Sequence, residues 1–274
     1  KIEKMETIAH NRFPEAPAIE RIERLDQDRV KALFPLVEQI EDALFVSGGA
    51  RVDGRALCAA LIRGAVEHGA TVLNGDASLV IDNGVVTGIE IDDKQYTADQ
   101  FILTAGVWLN DLLRPLDLKI DLHPEKGQIL QLDLTDSTST TWPVIMGQRG
   151  LYLVSIHEGK LIVGSTHEKQ TDYDLKPTVK GMYALLNRAL PVLPTLEETT
   201  IDELRIGLRP YTKNSLPVIG PLQDHPNVFL ANGLGASGLT IGPYLGSQLA
   251  KLASHQTPDI EWSTYEPTYV PLES

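Results

Sequence analysis

Apolar residues recur along this chain in two periods, and the switches between them set the order of the predicted elements. Leu44, Phe45 and Val46 form a short apolar run leading into Gly48-Gly49, which reads as a strand. Asp53 then stands as a cap before 54–68. There Ala56, Leu57, Ala60, Leu61 and Ala65 share one helical face, and Gly69 sits at the stop. Thr71-Val72-Leu73 reads as a buried strand. The runs 78–81 and 85–91 flank Asp82-Asn83-Gly84, a hairpin signal because Asn-Gly accepts the positive φ of a tight turn. A further strand, 101–104, runs into Ala105-Gly106 and a short helix carrying Trp108, Leu109, Leu112 and Leu113. Upstream, Asp26 predicts a cap for a helix carrying Val30, Leu33 and Phe34 and ended by Pro35. The charged stretch 20–24 reads as a solvated face.

Beyond residue 118 the period shortens. Segments 127–134, 143–146, 151–156 and 161–166 predict strands, with the turn His157-Glu158-Gly159-Lys160 joining the last two. A helix is expected over 179–190 between Pro177 and Pro191, and a strand over 200–208. This is a mostly antiparallel sheet with a covering helix. From 213 the pattern returns to α/β: a buried strand at 228–231, a glycine-rich loop at 233–238, and a helix at 241–253. The tail from Pro258, polar and proline-containing, is expected to lie over the surface. The fold class is therefore α/β with α+β character.

Composition narrows the partners. Hydrophobic residues make up 42% and charged residues 22%, as in a folded globular protein. A net charge of −13 repels nucleic acid and anionic lipid. No apolar run reaches the roughly 18 residues of a membrane span. Neither nucleic acid nor a membrane is therefore an expected partner, while further copies of the chain stay open as one. The single cysteine, Cys58, lies among Leu57, Ala59, Ala60 and Leu61 and reads as a buried structural thiol. It excludes an intramolecular disulfide and fits a reducing cytoplasm.

Three segments carry candidate chemistry. Gly233-Leu234-Gly235-Ala236-Ser237-Gly238 is a literal G-x-G-x-x-G between a strand and a helix. A dinucleotide fold needs a second parallel strand after that helix, with an acidic end about 20 residues on. Here only Asp259 and Glu261 follow, with no apolar strand around them, so that reading is rejected. The local physics survives: glycines let a ligand approach the backbone, and a helix N-terminus offers free N–H groups. A tight strand-to-helix turn would look the same. Thr104-Ala105-Gly106 is a second small-residue turn. Gly207-Leu208-Arg209-Pro210 is the third, placed at a strand end just before a loop. Pro210 holds Arg209 extended, so its guanidinium could fork onto a carboxylate; a surface arginine or an internal ion pair is the alternative. His157 reads as solvated. His167, Glu168 and Asp172 lack metal-ligand spacing, and no serine sits in a G-x-S-x-G elbow.

Taken in order, these segments resemble one family. Residues 207–210, Leu216-Pro217-Val218-Ile219-Gly220 and 232–243 are similar to the C-terminal half of glycine oxidases and related D-amino-acid oxidases. Residues 101–113 resemble that family's second FAD-contacting turn. Lys126-Gly127-Gln128-Ile129, Leu151-Tyr152-Leu153-Val154 and 161–166 resemble its substrate-domain sheet. The resemblance implies a flavin domain from 44–118 and 213–274, and a substrate domain from 1–43 and 119–212. It implies FAD as cofactor, and oxidative deamination of an amino acid or small amine by hydride transfer from the amine-bearing carbon. The family pattern opens with a βαβ unit of roughly 30 residues. The chain, beginning at Lys1, is expected to start inside that pattern and to bind FAD poorly alone.

By position, the resemblance assigns Arg209 to clamp the substrate carboxylate, and Tyr152 and His167 to the substrate pocket. Gly207 and the stretch Gly233, Leu234, Gly235, Ala236, Ser237, Gly238, Leu239 and Thr240 would face the flavin. Thr104, Ala105, Gly106 and Trp108 would lie near the pyrophosphate and ribose, and Ala77 near the adenine. Some glycine oxidases carry an arginine at the position of Ala236 and an apolar residue at that of His167; both departures bear on the substrate. Two other readings stay open: a non-catalytic fragment without FAD, and an oxidoreductase for a secondary amine such as sarcosine or proline.

Overall fold

Two aspartates set helix starts early in the chain, as the sequence predicts. The computed structural model describes residues 2–38, 40, 42–134, 137–170 and 172–271. Helix α1 (Ile2–Arg12) and strand β1 (Ile22–Leu25) precede α2 (Gln27–Leu33). Asp26 accepts from the backbone N–H of Arg29 at 2.9 Å and so caps α2. After β2 (Ala43–Val46) comes α3 (Gly54–Glu67). Asp53 Oδ1 accepts from the N–H groups of Arg55 and Ala56 at 2.8 and 3.0 Å. The chain continues through β3 (Ala77–Asp82), β4 (Val85–Ile91), β5 (Lys94–Thr97), β6 (Phe101–Leu103), α4 (Leu109–Leu113) and β7 (Leu122–Asp133). It goes on through β8 (Ile145–Met146), β9 (Tyr152–Val154), β10 (Lys160–Gly164), β11 (Glu168–Lys169) and α5 (Val179–Ala189). It closes with β12 (Thr200–Thr212), β13 (Val218–Leu222), β14 (His225–Asn232) and α6 (Gly238–Ala253).

These elements divide into two compact units. The first comprises Lys1–Ala60, Gly127–His167 and Lys176–Ile206; the second comprises Leu61–Lys126, Glu168–Leu175 and Gly207–Ser274. Strand β12 pairs with β7.

In the first unit β10 lies between β7 and β9, antiparallel to both, and β8 extends the sheet beyond β9. Its core joins Leu130, Leu132, Leu153, Leu161 and Val163 to Leu185 and Ala189 of α5. Phe34 packs its ring on Trp142 at 4.6 Å. Strands β1 and β2 pair antiparallel. The stretch read as a solvated face is thus largely strand: Ile22 and Leu25 flank Glu23 and Arg24 without period-two alternation, so the strand is set by its pairing with β2 rather than by a local pattern.

In the second unit β14 pairs parallel with β6 and antiparallel with β13. Val228 and Leu230 join Phe101, Leu103, Leu109 and Leu113 in one cluster. Phe229 and Ala231 meet Leu245 and Leu249 of α6 in another. Side-chain alternation along β14 therefore buries it on both faces. The predicted hairpin is β3–β4, with Asn83 and Gly84 both at positive φ. A second turn, Asp92-Asp93, also at positive φ, adds β5. The C-terminal stretch is clipped to α6: Asp259 N–H donates to buried Gln248 at 2.6 Å and its carboxylate pairs with Lys251 at 2.7 Å.

Four expectations fail. Thr71-Val72-Leu73 forms no strand, and Val72 and Leu73 stay exposed, because no strand among the described residues pairs with them. Helix α3 has no buried residue, so its apolar face, Leu61 included, meets no core. Cys58, on that helix, is consequently exposed rather than buried. Arg209 and Pro210 lie inside β12 rather than before a loop. A strand paired along one side tolerates a proline, whose missing N–H can face away from its neighbour.

Candidate functional site

In the second unit the carboxyl ends of β6 and β14 lie side by side, with Leu103 opposite Leu230. Both strands then leave the sheet in small-residue turns. Ligand sites of α/β proteins form at such ends. Asn232, 2% exposed, closes β14 and ties the turns together. Its Nδ2 donates to the Gly106 carbonyl at 2.9 Å, and its Oδ1 accepts from Gly233 N–H at 2.7 Å.

Each turn needs glycine for a stated reason. Gly106, Gly233 and Gly235 have φ of +59, +72 and +51°, where a Cβ is strained. At Gly235 an added Cβ would also sit 2.4 Å from the Tyr211 ring. Tyr211 braces this loop: its Oη accepts from Ala236 N–H at 3.1 Å, and its backbone bridges Leu234. Gly106 and Gly238 instead face open space, with nothing within 4 Å of an added Cβ. Helix α6 starts at Gly238 with no side-chain cap from Ser237. Ala236, Ser237, Leu239 and Thr240 are exposed beside it.

Arg209 lies two residues before Tyr211 on β12, so the two side chains share a face. On the paired strand β7, Glu125 and His123 have the same spacing and meet them. Arg209 Nη1 lies 3.3 Å from Glu125 Oε1, both side chains largely buried. The His123 ring stacks on Tyr211 at 6.2 Å and 23°. The residue after Glu125, Lys126, is only 1% exposed and pairs with Asp174 at 3.2 Å. Beside the second turn, Trp108 packs on Tyr173 at 5.8 Å. Tyr173 Oη donates to Asp111 at 2.9 Å, and burial, aided by that carboxylate, pushes the phenol pKa up.

The structure therefore gathers Thr104, Ala105, Gly106, the residues 233–238 and the Arg209–Tyr211 strand in one unit. Ala77, exposed, opens β3 of that unit, and Gly207 lies exposed on β12. Tyr152 and His167 belong to the first unit. The Tyr152 ring lies over Gly164, where a Cβ would come within 2.1 Å of it, and His167 is exposed. His157 is not merely solvated: its Nε2 lies 2.9 Å from Asp53 Oδ2. Asp53 is held below its ordinary carboxylate pKa by the Ala56 N–H and then His157. Sequence reasoning missed Tyr211, Glu125 and the tie made by Asn232. The spacing of Arg209 and Tyr211 was the available signal for the first.

Two glycine-dependent turns at adjacent parallel strand ends, each leading into a helix, are the geometry of a ligand site in an α/β protein. More particularly, the chain belongs to the FAD dependent oxidoreductase (DAO) family, which matches residues 2–252. It is 42% identical over 268 residues to the uncharacterized oxidoreductase YurR of Bacillus subtilis (strain 168), covering 97% of this chain and 72% of that protein. It is 33% identical over 188 residues to glycine oxidase of Pseudomonas putida, covering 69% of this chain and 50% of that enzyme. The solved iminodiacetate oxidase from Chelativorans sp. BNC1 superposes with a TM-score of 0.91 at 32% identity, over 98% of this chain and 73% of that one. The chain thus spans between half and three quarters of the length of these relatives.

Proposed function

We propose that this chain carries the substrate-binding arginine and flavin-facing turns of an enzyme that oxidises the carbon–nitrogen bond of an amino acid or small amine. The observation that carries the reading is the shared face of Arg209 and Tyr211. One side chain offers a guanidinium, and the next on that face braces residues 235–236.

The residues present fit FAD. Gly106 and Gly238 leave room for close approach to the backbone, and the uncapped start of α6 offers N–H groups and a partial positive charge. When bound, FAD supplies the two-electron acceptor. Gly106 with Thr104, Ala105 and Trp108, and Gly233 to Thr240 with Gly207, would hold it, and Ala77 would face its adenine. Arg209 would orient the substrate by its carboxylate, each charge-assisted hydrogen bond contributing about 1.5–3 kcal/mol. The assignment of Tyr152 and His167 to the substrate rests on the family resemblance. The likeness to an iminodiacetate oxidase, at 32% identity, favours a secondary amine beside a primary one.

The test is a panel of glycine, N-methylglycine, iminodiacetate, proline and D-alanine on protein incubated with FAD, with Arg209→Leu in parallel. Turnover of at least one amine acid, lost in Arg209→Leu while flavin absorbance is retained, is expected. Equal turnover by the variant overturns the clamp.

A further inference from the structure

Arg209 and Glu125 form an internal ion pair at 3.3 Å, with side chains 20% and 16% exposed. A carboxylate clamp used alone needs no such neighbour. A partly buried anion beside the guanidinium competes with any carboxylate that enters. We propose that Glu125 is a specificity-determining residue that reads the ammonium of the substrate, so that the site recognises a zwitterion rather than an acid. The proposal rests on the reading of Arg209 as the carboxylate clamp.

The argument is one of charge order. An amino acid at the pair places its carboxylate on Arg209 and its ammonium on Glu125. The four charges then alternate, and each has opposite neighbours on the page: guanidinium, substrate carboxylate, substrate ammonium, Glu125. A simple carboxylic acid puts two anions side by side against one guanidinium, which is unfavourable where water is largely excluded. Three neighbouring groups leave this order standing. His123 is engaged with Tyr211. Lys169, which opposes Glu125 across the β7–β11 ladder, is exposed and screened by solvent. Lys126, adjacent in sequence, is paired to Asp174.

The same order bears on release of the product. Two-electron oxidation at the amine-bearing carbon, with bound FAD taking up the hydride, and hydrolysis of the imine by water would leave an oxo acid and release the nitrogen as ammonium or an amine. That product keeps the carboxylate and has lost the cation, so Glu125 turns from a partner into a repelling neighbour. Pairing with the arginine in the empty site, Glu125 also holds the guanidinium in place for the next substrate.

Calorimetric titration of FAD-loaded protein with glycine, N-methylglycine and acetate tests this. In the unsubstituted protein glycine should bind at least about tenfold tighter than acetate, the worth of one charge-assisted hydrogen bond. Acetate binding as tightly as glycine would overturn the proposal without any variant. In Glu125→Gln the two probes should move in opposite directions, glycine weaker and acetate tighter. A common shift, or none, would also overturn it. Arg209→Leu separates the two readings. If it abolishes acetate binding, the clamp stands whatever Glu125→Gln shows. If acetate binds it unchanged, the clamp itself fails.

Discussion

The side-chain amide of Asn232 donates to the carbonyl of Gly106, 126 residues away in sequence, at 2.9 Å and so joins the turns that leave two parallel strands. The same side chain accepts from Gly233. Asn232→Leu keeps the volume and removes both bonds, leaving a buried N–H and a carbonyl without that partner. The expected loss is about 1–3 kcal/mol, read as a lower thermal midpoint, together with weaker FAD retention. A midpoint unchanged from the parent would show that the tie contributes nothing.

Two glycines of one loop should respond differently to alanine. In Gly235→Ala the new methyl meets the Tyr211 ring at a φ of +51°, so the fold should weaken by about 1–3 kcal/mol. Gly238→Ala meets nothing within 4 Å. The FAD-free protein should be unchanged or more stable by up to about 1 kcal/mol, since Gly238 has helical φ and ψ, while FAD titration should show weaker binding if the cofactor approaches this backbone. Equal FAD affinity in Gly238→Ala and the parent would argue against the proposed cofactor face.

Tyr211→Phe removes the hydroxyl that accepts from Ala236 N–H and leaves the ring against Gly235 and His123. Faster amide exchange across 234–238, with exchange in β14 unaltered, is the expected signature. Uniform exchange in both segments would show that the ring alone braces the loop.

Acid should destabilise the fold through specific carboxylates. Asp202 is held below its ordinary range by Gln131 and then Lys160, Asp259 by Lys251 and then Gln248, and Glu203 chiefly by Arg205. A depressed folded pKa means stability that is complete above the unfolded value and lost as pH falls through the folded one. The thermal midpoint should therefore hold near neutrality and drop below about pH 4. Asp202→Asn should flatten part of that drop; an identical acid profile would remove Asp202 from the account.

Signals confined to a few neighbouring residues were legible in the sequence. Asp26 and Asp53 cap the helices they precede, and Asn83-Gly84 turns the hairpin. The glycine loop was legible too, because its backbone demands lie within six residues. What depended on distant partners was not. Strand β1 is defined by its ladder to β2, and β13 by its ladder to β14. Apolar Thr71-Val72-Leu73 and the α3 face carried the pattern of buried elements, yet burial needs a neighbour that local pattern cannot specify. Glu125 carried no local signal, since its place beside Arg209 depends on the pairing of β7 with β12.

The α3 surface has a colloidal consequence. Leu61, Ile62 and Val66 are each about half exposed, as are Val72 and Leu73 shortly after them, and apolar side chains in water attract one another between molecules. The charge of −13 keeps molecules apart, but only over a range that added electrolyte shortens. Solutions of this chain should therefore stay clear when dilute in salt and scatter light as ionic strength rises. Leu61→Glu with Ile62→Lys should suppress that clouding without changing the net charge.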